Sequence, residues 1–253
     1  MSREEVIFMA RMSEQCQRFD DMAEYMQRVA KMGAGLGLEE RNLFSAAYKG
    51  AVASRRDALR SIQGFEAAHG AACDGEQAAA LAAYRRTVEE DLGQMCMEAL
   101  EVLGKYLVQT AEPGEPLVFF LKMRGDYFRY LAEFTPEPTK NTYVAEAVAA
   151  YQGAKTSAEE TLNAANAVRL GLMLNMSVFH HEVLGLPKEA CMIASRAFDE
   201  ANKALGSIEE ESVKVDAYGI LQLISDNLRQ WVQSLTAEEV RALDQDGVSV
   251  EEM

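Results

Sequence analysis

Hydrophobic residues recur along this chain with the three-to-four-residue spacing of amphipathic helices, nearly from end to end. The pattern breaks where glycine or proline residues cluster, as at 33–37, 113–114 and 185–187. No stretch competes with the strict alternation of a half-buried strand. We therefore predict an all-α protein whose helices span 3–16, 20–32, 39–64, 76–109, 114–134, 140–160, 166–184, 187–205 and 213–234.

These helices form a single domain in our prediction, because no linker between them is long enough to separate two independent units. We place the domain over 1–234, as about nine antiparallel helices, an arrangement well suited to forming a concave groove. After Trp231 the sequence becomes polar and acidic. We therefore expect 235–253 to be a flexible tail.

The charge of the chain restricts its partners. The 253 residues are 49% hydrophobic, and their formal net charge is −15. Such a protein repels the phosphate backbone of nucleic acids and anionic membrane surfaces, so we expect no nucleic-acid partner. No apolar stretch approaches the roughly 20 residues of a membrane-spanning helix, so we expect no membrane insertion. Any anion-binding site must be a local cluster of basic residues.

The cysteines indicate a reducing compartment. Cys16, Cys73, Cys96 and Cys191 are widely spaced and form no C-x-x-C motif, which is typical of reduced thiols. The first residues also lack the apolar run of a signal peptide. We expect a protein of the cytoplasm or nucleus.

Motifs of enzymes and metal sites are incomplete. His181 and Glu182 begin a zinc-protease motif, but its second histidine would have to stand at position 185, which is a glycine. Glu66 and His69 have the spacing of half a di-iron site, and the other half is missing. No nucleotide-binding fingerprint occurs. We expect no catalytic residues, no metal and no cofactor.

Three basic residues of the predicted helix 39–64 share one face. Lys49, Arg56 and Arg60 stand at i, i+7 and i+11. Like charges placed in this way repel one another unless water or a bound anion neutralises them. Taken alone, the stripe favours a solvated helix surface over an anion site.

A second segment shifts that balance. Arg129 stands beside Tyr130 in an apolar, aromatic context, where an unpaired guanidinium would be costly. The arginine fork suits two phosphate oxygens at once, and tyrosine adds a hydroxyl donor. With Lys49 and Arg56, these residues match the charge of about −1.5 to −2 of a phosphoserine or phosphothreonine. We therefore predict that these four residues bind phosphate.

Two further predicted helices carry asparagines on largely apolar faces. Asn175 shares a face with positions 171, 174, 178 and 182, and Asn227 aligns with positions 220, 223 and 231. A carboxamide both donates and accepts hydrogen bonds, so it binds an extended peptide backbone whatever the peptide side chains are. These two helices have the pattern of the walls of a peptide groove.

Together these segments resemble the 14-3-3 family. The matching segments follow the family's order and spacing, and the resemblance covers roughly residues 3–234. They are 18–21, 41–49, 54–56, 122–133, 169–179 and 226–231. The resemblance implies a nine-helix antiparallel fold and a cup-shaped homodimer, or a heterodimer with paralogues. It also implies an adaptor that holds phosphoserine or phosphothreonine peptides of client proteins in an amphipathic groove.

Residue by residue, the resemblance assigns phosphate binding to Lys49, Arg56, Arg129 and Tyr130. It assigns peptide binding to a larger set: Lys122, Gly171, Leu174, Asn175, Val178, Glu182, Ile220, Leu223, Asn227 and Trp231. It places the dimer interface at Arg18, Asp21, Ala58, Tyr84 and Asp91. Asp91 is expected to pair with Arg18 of the other subunit.

Several positions depart from the family pattern. Thr87 replaces a lysine that faces Asp21 across the family dimer, so we expect a dimer weaker than usual. Gly219 replaces a leucine of the apolar wall, which makes that wall shallower. His180 and His181 replace an aromatic pair. Because of Gly219, the alternative is a divergent helical scaffold that binds unphosphorylated partners through the same groove.

Overall fold

The computed structural model describes residues 1–245, without the side chains of residues 71, 237, 242, 244 and 245. Over this range the chain is all-α, which confirms the predicted fold class. The helices are α1 (Arg3–Gln15), α2 (Phe19–Lys31), α3 (Leu38–His69), α4 (Gly75–Val102), α5 (Glu115–Phe134), α6 (Thr139–Thr161), α7 (Ala167–Glu182), α8 (Pro187–Leu205), α9 (Glu211–Val232) and α10 (Ala237–Gln245).

Local signals explain where several helices begin. The Ser2 hydroxyl accepts a hydrogen bond from the backbone N–H of Glu5, whose side chain accepts one in return from the Ser2 N–H. Asp74 and Gln77 form the same reciprocal cap on α4. Asn166 caps α7 by accepting from two backbone N–H groups. These caps satisfy donors that the first helical turn leaves unpaired.

Two helix ends differ from the prediction by five residues or more. Helix α3 continues past position 64 to His69, where the rings of Phe65 and His69 stack at 4.8 Å and Arg85 of α4 binds Glu66 at 3.1 Å. These contacts stabilise the extra turn. The predicted helix 76–109 is α-helical only to Val102, and a π-helical turn (Leu103–Leu107) and a 3-10 turn (Val108–Thr110) complete it.

Helix α10 lies within the segment that the sequence assigns to a tail. Thr236 and Glu239 cap its first turn through reciprocal hydrogen bonds. Leu243 is fully buried in the same hydrophobic cluster as Trp231, and this burial anchors the helix. Residues 246–253, the rest of the predicted flexible tail, lie outside the described residues.

The chain forms two compact units, one over Met1–Ala111 and one that begins at Glu112. In the first unit α1 packs on α2, α2 on α3 and α3 on α4. Its largest fully buried side chains come from α2, α3, α4 and the π-helical turn: Met22, Met26, Phe44, Tyr48, Leu92, Leu103 and Leu107.

The described part of the second unit contains two hydrophobic clusters. One lies among α5, α6 and α7 and is built around Val118, Tyr151 and Phe179. The other joins α7, α8, α9 and α10 and contains Leu170 and Trp231. Helix α7 contributes to both clusters, so it is packed against neighbours on two sides. None of the described helices has the length and apolarity that crossing a membrane requires.

Candidate functional site

The carboxylate of Asp126 on α5 is the centre of a buried polar cluster in the second unit. Its Oδ1 accepts a 2.7 Å hydrogen bond from the Tyr151 hydroxyl on α6 and another of 2.7 Å from Nδ2 of Asn175 on α7. Its Oδ2 pairs with Nζ of Lys122, one turn earlier on α5, at 2.8 Å. A single carboxylate therefore connects three helices and orients two of the predicted peptide-binding residues.

The charge states of Asp126 and Tyr151 follow from their burial and their neighbours in this cluster. Burial by itself raises the pKa of Asp126, but the charges of Lys122 and Arg129 and the hydrogen bonds from Lys122 and Tyr151 outweigh it and hold the pKa below its usual value. Burial and the neighbouring Asp126 both raise the pKa of Tyr151 far above its usual value. The cluster therefore contains an ionised carboxylate and a neutral tyrosine hydroxyl that donates to it.

Arg129 is only 6% exposed, and its guanidinium is held from several sides. Nη1 pairs with Oε1 of Glu133 at 2.9 Å, and Nε donates to the Tyr151 hydroxyl at 3.3 Å. The guanidinium carbon lies 4.5 Å from the centre of the Tyr130 ring. Burial lowers the pKa of Arg129, but Tyr151, Tyr130, Asp126 and Glu133 raise it overall, so the group stays charged.

Gly125 makes this arrangement sterically possible. A Cβ atom at this position would lie 2.6 Å from Cδ1 of the Tyr151 ring, closer than real Cβ contacts allow. The missing side chain therefore lets the ring lie against the backbone of α5 and brings its hydroxyl to Asp126. Sequence reasoning did not identify Gly125, Asp126 or Tyr151. The available signal was a carboxylate spaced i+4 from Lys122 and i−3 from Arg129 on one helix.

Three of the residues predicted to bind peptide lie close to one another: Lys122, Gly171 and Asn175. The Lys122 side chain passes Gly171, where an added Cβ would contact its Cε at 3.6 Å. Asn175 lies one turn further along α7 and, like Lys122, binds Asp126. Because a carboxylate only accepts hydrogen bonds, this contact fixes the Asn175 amide with its nitrogen toward Asp126.

Part of the predicted apolar wall packs against the hydrophobic core of the second unit. Leu174, Val178 and Ile220 are half-buried and pack against the cluster that contains Trp231. Asn227 is half-buried, and Leu223 is 54% exposed. The wall therefore has both anchored side chains and one that faces solvent.

His181 contacts Glu182 and Trp231, two of the residues that the resemblance assigns to peptide binding. Its ring stacks on Trp231 with the ring centres 4.8 Å apart and the planes at 14°, and its Nδ1 lies 2.7 Å from Oε1 of Glu182. His180 instead contacts the Met176 carbonyl at 2.8 Å. His181 thus packs as an aromatic residue would, which is consistent with the aromatic pair that these histidines replace.

Lys49 and Arg56 belong to the first unit, on α3. They stand two helical turns apart, with Lys49 exposed and Arg56 half-buried. Arg60, the third residue of the stripe, pairs with Asp57 of its own helix at 3.3 Å. The exposure of Lys49 and Arg60 agrees with the helix face that the sequence predicts.

The charged residues assigned to the dimer interface pair within the chain. Nη2 of Arg18 donates to Oδ1 of Asp21 at 2.9 Å, and this hydrogen bonding lowers the pKa of Asp21. Asp91 accepts a 2.8 Å hydrogen bond from Nε of Arg55 of the same chain, whereas the family resemblance implies a pair with Arg18 of the other subunit. Tyr84 is 59% exposed, and Ala58 is half-buried.

The residues that the structure describes contain no group of three histidine, cysteine, aspartate or glutamate side chains that could hold a metal ion. The four cysteines, all within that range, form no disulfide.

Comparison with known proteins gives consistent matches. The model of the 14-3-3 protein family matches residues 9–232. The chain is 40% identical over 236 residues to the 14-3-3-like protein GF14 epsilon of Arabidopsis thaliana, covering 93% of this chain and 92% of that protein. It is 42% identical over 237 residues to a 14-3-3-like protein of Chlamydomonas reinhardtii, covering 93% and 91%. It is 41% identical over 246 residues to the 14-3-3 protein beta/alpha-A of Xenopus laevis, covering 97% and 100%.

Proposed function

Because this chain belongs to the 14-3-3 family, we propose that it is a non-catalytic adaptor that binds phosphoserine- or phosphothreonine-containing segments of client proteins. The observation that carries the proposal is the buried, fixed guanidinium of Arg129 beside Tyr130. An arginine fork that is already held in place binds an anion without the entropic cost of ordering a flexible side chain.

Four residues hold the phosphate in this proposal. Arg129 and Tyr130 provide the guanidinium and hydroxyl donors, and Lys49 and Arg56 provide two further positive charges. The roles of Lys49 and Arg56 rest on the family resemblance. A phosphoserine carries a charge of about −1.5 to −2 and three acceptor oxygens, which these donors match.

The peptide backbone is bound by Asn175 and Asn227. Asp126 fixes the nitrogen of the Asn175 amide, so the amide oxygen faces away from that carboxylate and accepts a hydrogen bond from a peptide N–H. Glu182 and Trp231 support the same strand of peptide. The remaining lining residues are Lys122, Gly171, Leu174, Val178, Ile220 and Leu223.

A paired peptide measurement tests the proposal. Fluorescence anisotropy with a doubly phosphorylated peptide and its unphosphorylated counterpart should show micromolar or tighter binding for the first only. Arg129→Ala or Arg56→Ala should remove most of that difference, because each deletes a charge-assisted contact of about 1.5–3 kcal/mol. Arg196→Ala is the matched control, since this arginine is exposed on α8 and pairs with Glu200. Equal binding of both peptides would overturn the proposal in favour of a scaffold for unphosphorylated partners.

The assembly and location of the protein are part of the same proposal. Family membership supports a homodimer, or a heterodimer with paralogues. The ion pairs Arg18–Asp21 and Arg55–Asp91 within the chain argue for weak charge contributions between subunits. Cysteines that form no disulfide favour the reducing cytoplasm or nucleus, and the net charge of −15 argues against nucleic acid as a partner.

A further inference from the structure

His181, near the end of α7, places a titratable ring against two residues that we assign to the peptide. Its ring lies on the face of Trp231 from α9, with the ring centres 4.8 Å apart and the planes at 14°. Its Nδ1 lies 2.7 Å from Oε1 of Glu182. The imidazole therefore has an indole against its face and a carboxylate at its edge.

The three side chains of this stack differ in their access to water. The His181 side chain is 24% exposed and that of Glu182 is 59% exposed, so protons from solvent reach both. Trp231 is only 4% exposed and belongs to the hydrophobic core. Histidine is the side chain whose charge ordinarily changes between about pH 5 and pH 8. A change of charge on this imidazole acts directly on the indole and the carboxylate that it contacts.

The titratable and charged neighbours of the stack on α7 and α9 are engaged elsewhere. The Nδ1 of His180 lies 2.8 Å from the carbonyl oxygen of Met176. Asp226 and Arg229 on α9 pair at 3.3 Å, and neither stands three or four residues from Trp231. Among the described residues, the carboxylate at the ring edge is therefore the charged group in direct contact with the imidazole.

The other helices that pack on α7 and α9 have charged residues with contacts of their own. The polar cluster around Asp126 lies where α5 and α6 meet α7. Helices α8 and α10 join the hydrophobic cluster of Trp231 through uncharged side chains. Hydrogen bonds from Thr236 and the charge of Lys188 lower the pKa of Glu239 on α10. These charges are therefore balanced within their own contacts.

Protonation of His181 strengthens both of its contacts. The imidazolium forms an ion pair with Glu182, and a cation on the face of an indole is attracted by the electrons of the ring. Both gains appear as the pH falls and are lost as it rises, because neutral imidazole carries no charge. Resting on the proposed phosphopeptide function, we propose that His181 is a pH-sensitive positioning residue, whose protonated form orients Glu182 and Trp231 and strengthens phosphopeptide binding.

Two effects favour the phosphopeptide when His181 is protonated. Side chains that are ordered before binding reduce the entropic cost of ordering them in the complex. The positive charge also offsets that of Glu182, which repels an anionic ligand. The aromatic residue that the family pattern has at this position does not titrate in the same pH range, since even a tyrosine has a pKa of about 10. The pH response is therefore a property of this chain's own sequence.

The fluorescence of Trp231 tests the protonation step without any peptide. Trp231 is the single tryptophan of the chain, and a protonated imidazole in contact with an indole quenches its emission. We expect the emission to fall from about pH 8 to about pH 5.5. His181→Phe keeps an aromatic ring on the indole and should abolish this fall, whereas His180→Phe, the matched control, should keep it. Glu182→Gln should move its midpoint to lower pH, because the carboxylate favours the protonated ring.

Anisotropy of a labelled phosphoserine peptide tests the effect on binding. The phosphate itself changes charge near pH 6, so the affinity of each protein is divided by that of His181→Phe for the same peptide at the same pH. For the unchanged protein, we expect this relative affinity to rise about threefold from about pH 8 to about pH 5.5. His180→Phe should behave like the unchanged protein. By linkage, saturating peptide should move the midpoint of the emission change to higher pH.

The failures of the two proposals are distinguishable. An emission change that persists in His181→Phe, or a relative affinity that does not vary with pH, would overturn the role of His181. If His181→Phe does not fold, Glu182→Gln decides the question, and an unchanged midpoint rejects the proposal. Failure of the adaptor proposal is detected separately, as equal binding of the phosphorylated and unphosphorylated peptides at about pH 8. That result also removes the effect on binding, whereas the emission titration still decides whether His181 is protonated against Trp231.

Discussion

Asn175 on α7 donates a 2.7 Å hydrogen bond to Oδ1 of Asp126 on α5. The contact joins residues 49 positions apart in the chain and determines which end of the Asn175 amide faces the carboxylate. The same carboxylate binds Lys122, so one buried negative charge orients two residues that we assign to the peptide. A change at Asp126 is therefore expected to affect both stability and binding.

We predict that Asp126→Asn destabilises the protein by about 3 kcal/mol or more, because it leaves Lys122 and buried Arg129 without their shared counter-charge. It should also weaken phosphopeptide binding about tenfold, since Lys122 and Asn175 lose their fixed orientation. Urea denaturation and fluorescence anisotropy measure the two effects. Glu101→Gln, which breaks an exposed pair with Lys105, is the control and should cost less than about 1 kcal/mol. Equal effects of the two variants would contradict the role of Asp126.

Acid should remove the contribution of Asp126. Its pKa in the folded protein lies below the value of about 3.9 expected in the unfolded chain. The stabilisation is therefore fully present above about pH 4 and is lost as the pH falls through the lower, folded value. The difference in unfolding free energy between the unchanged protein and Asp126→Asn should shrink below about pH 4. A difference that stays constant to lower pH would show that the ionised carboxylate is not its source.

Because Gly125 contacts Tyr151, we expect alanine substitution to have opposite effects on stability at Gly125 and at Gly153. Gly125→Ala should destabilise the protein by about 1–3 kcal/mol, because the new methyl group would overlap the buried Tyr151 ring and displace its hydroxyl from Asp126. Gly153→Ala on α6 should be neutral or stabilising by up to about 1 kcal/mol. Its Cβ would meet only Leu121 Cδ1, at 3.9 Å, and alanine favours the helix. Thermal denaturation of both variants measures this, and similar melting temperatures would refute the prediction.

Thr87→Lys should strengthen the proposed dimer. The family resemblance places a lysine there opposite Asp21 of the other subunit, and the exposed pair would form twice in a symmetric dimer. Each pair contributes about 0–1 kcal/mol, so the dimer dissociation constant should fall by several-fold. Sedimentation velocity across a concentration series measures the change, with Thr87→Gln as a neutral control of similar length. An unchanged protein that stays monomeric at micromolar concentration would overturn the dimer proposal itself.

Most of the helical architecture was predictable, because apolar periodicity and capping residues are local properties. The predicted helix 187–205 has the bounds of α8, and most other ends agree within a few residues. Two of the exceptions depend on distant partners. Helix α10 rests on the burial of Leu243 with Trp231, and the end of α3 is supported by Arg85 from α4. No pattern within either segment reveals these contacts.

The candidate site likewise contains residues that local patterns predict and residues that only tertiary packing brings together. Arg129 beside Tyr130 and the asparagine faces are short-range patterns, so the sequence by itself was enough to predict a phosphate-binding and peptide-binding role for them. Helical spacing placed Asp126 near Lys122 and Arg129, but such a carboxylate is equally typical of a solvated surface pair. Only the packing of α6 and α7 against α5 buries it and brings Tyr151 and Asn175 to it. Tertiary structure decided this because burial and the partners of a charge depend on which helices meet, and local periodicity carries no such information.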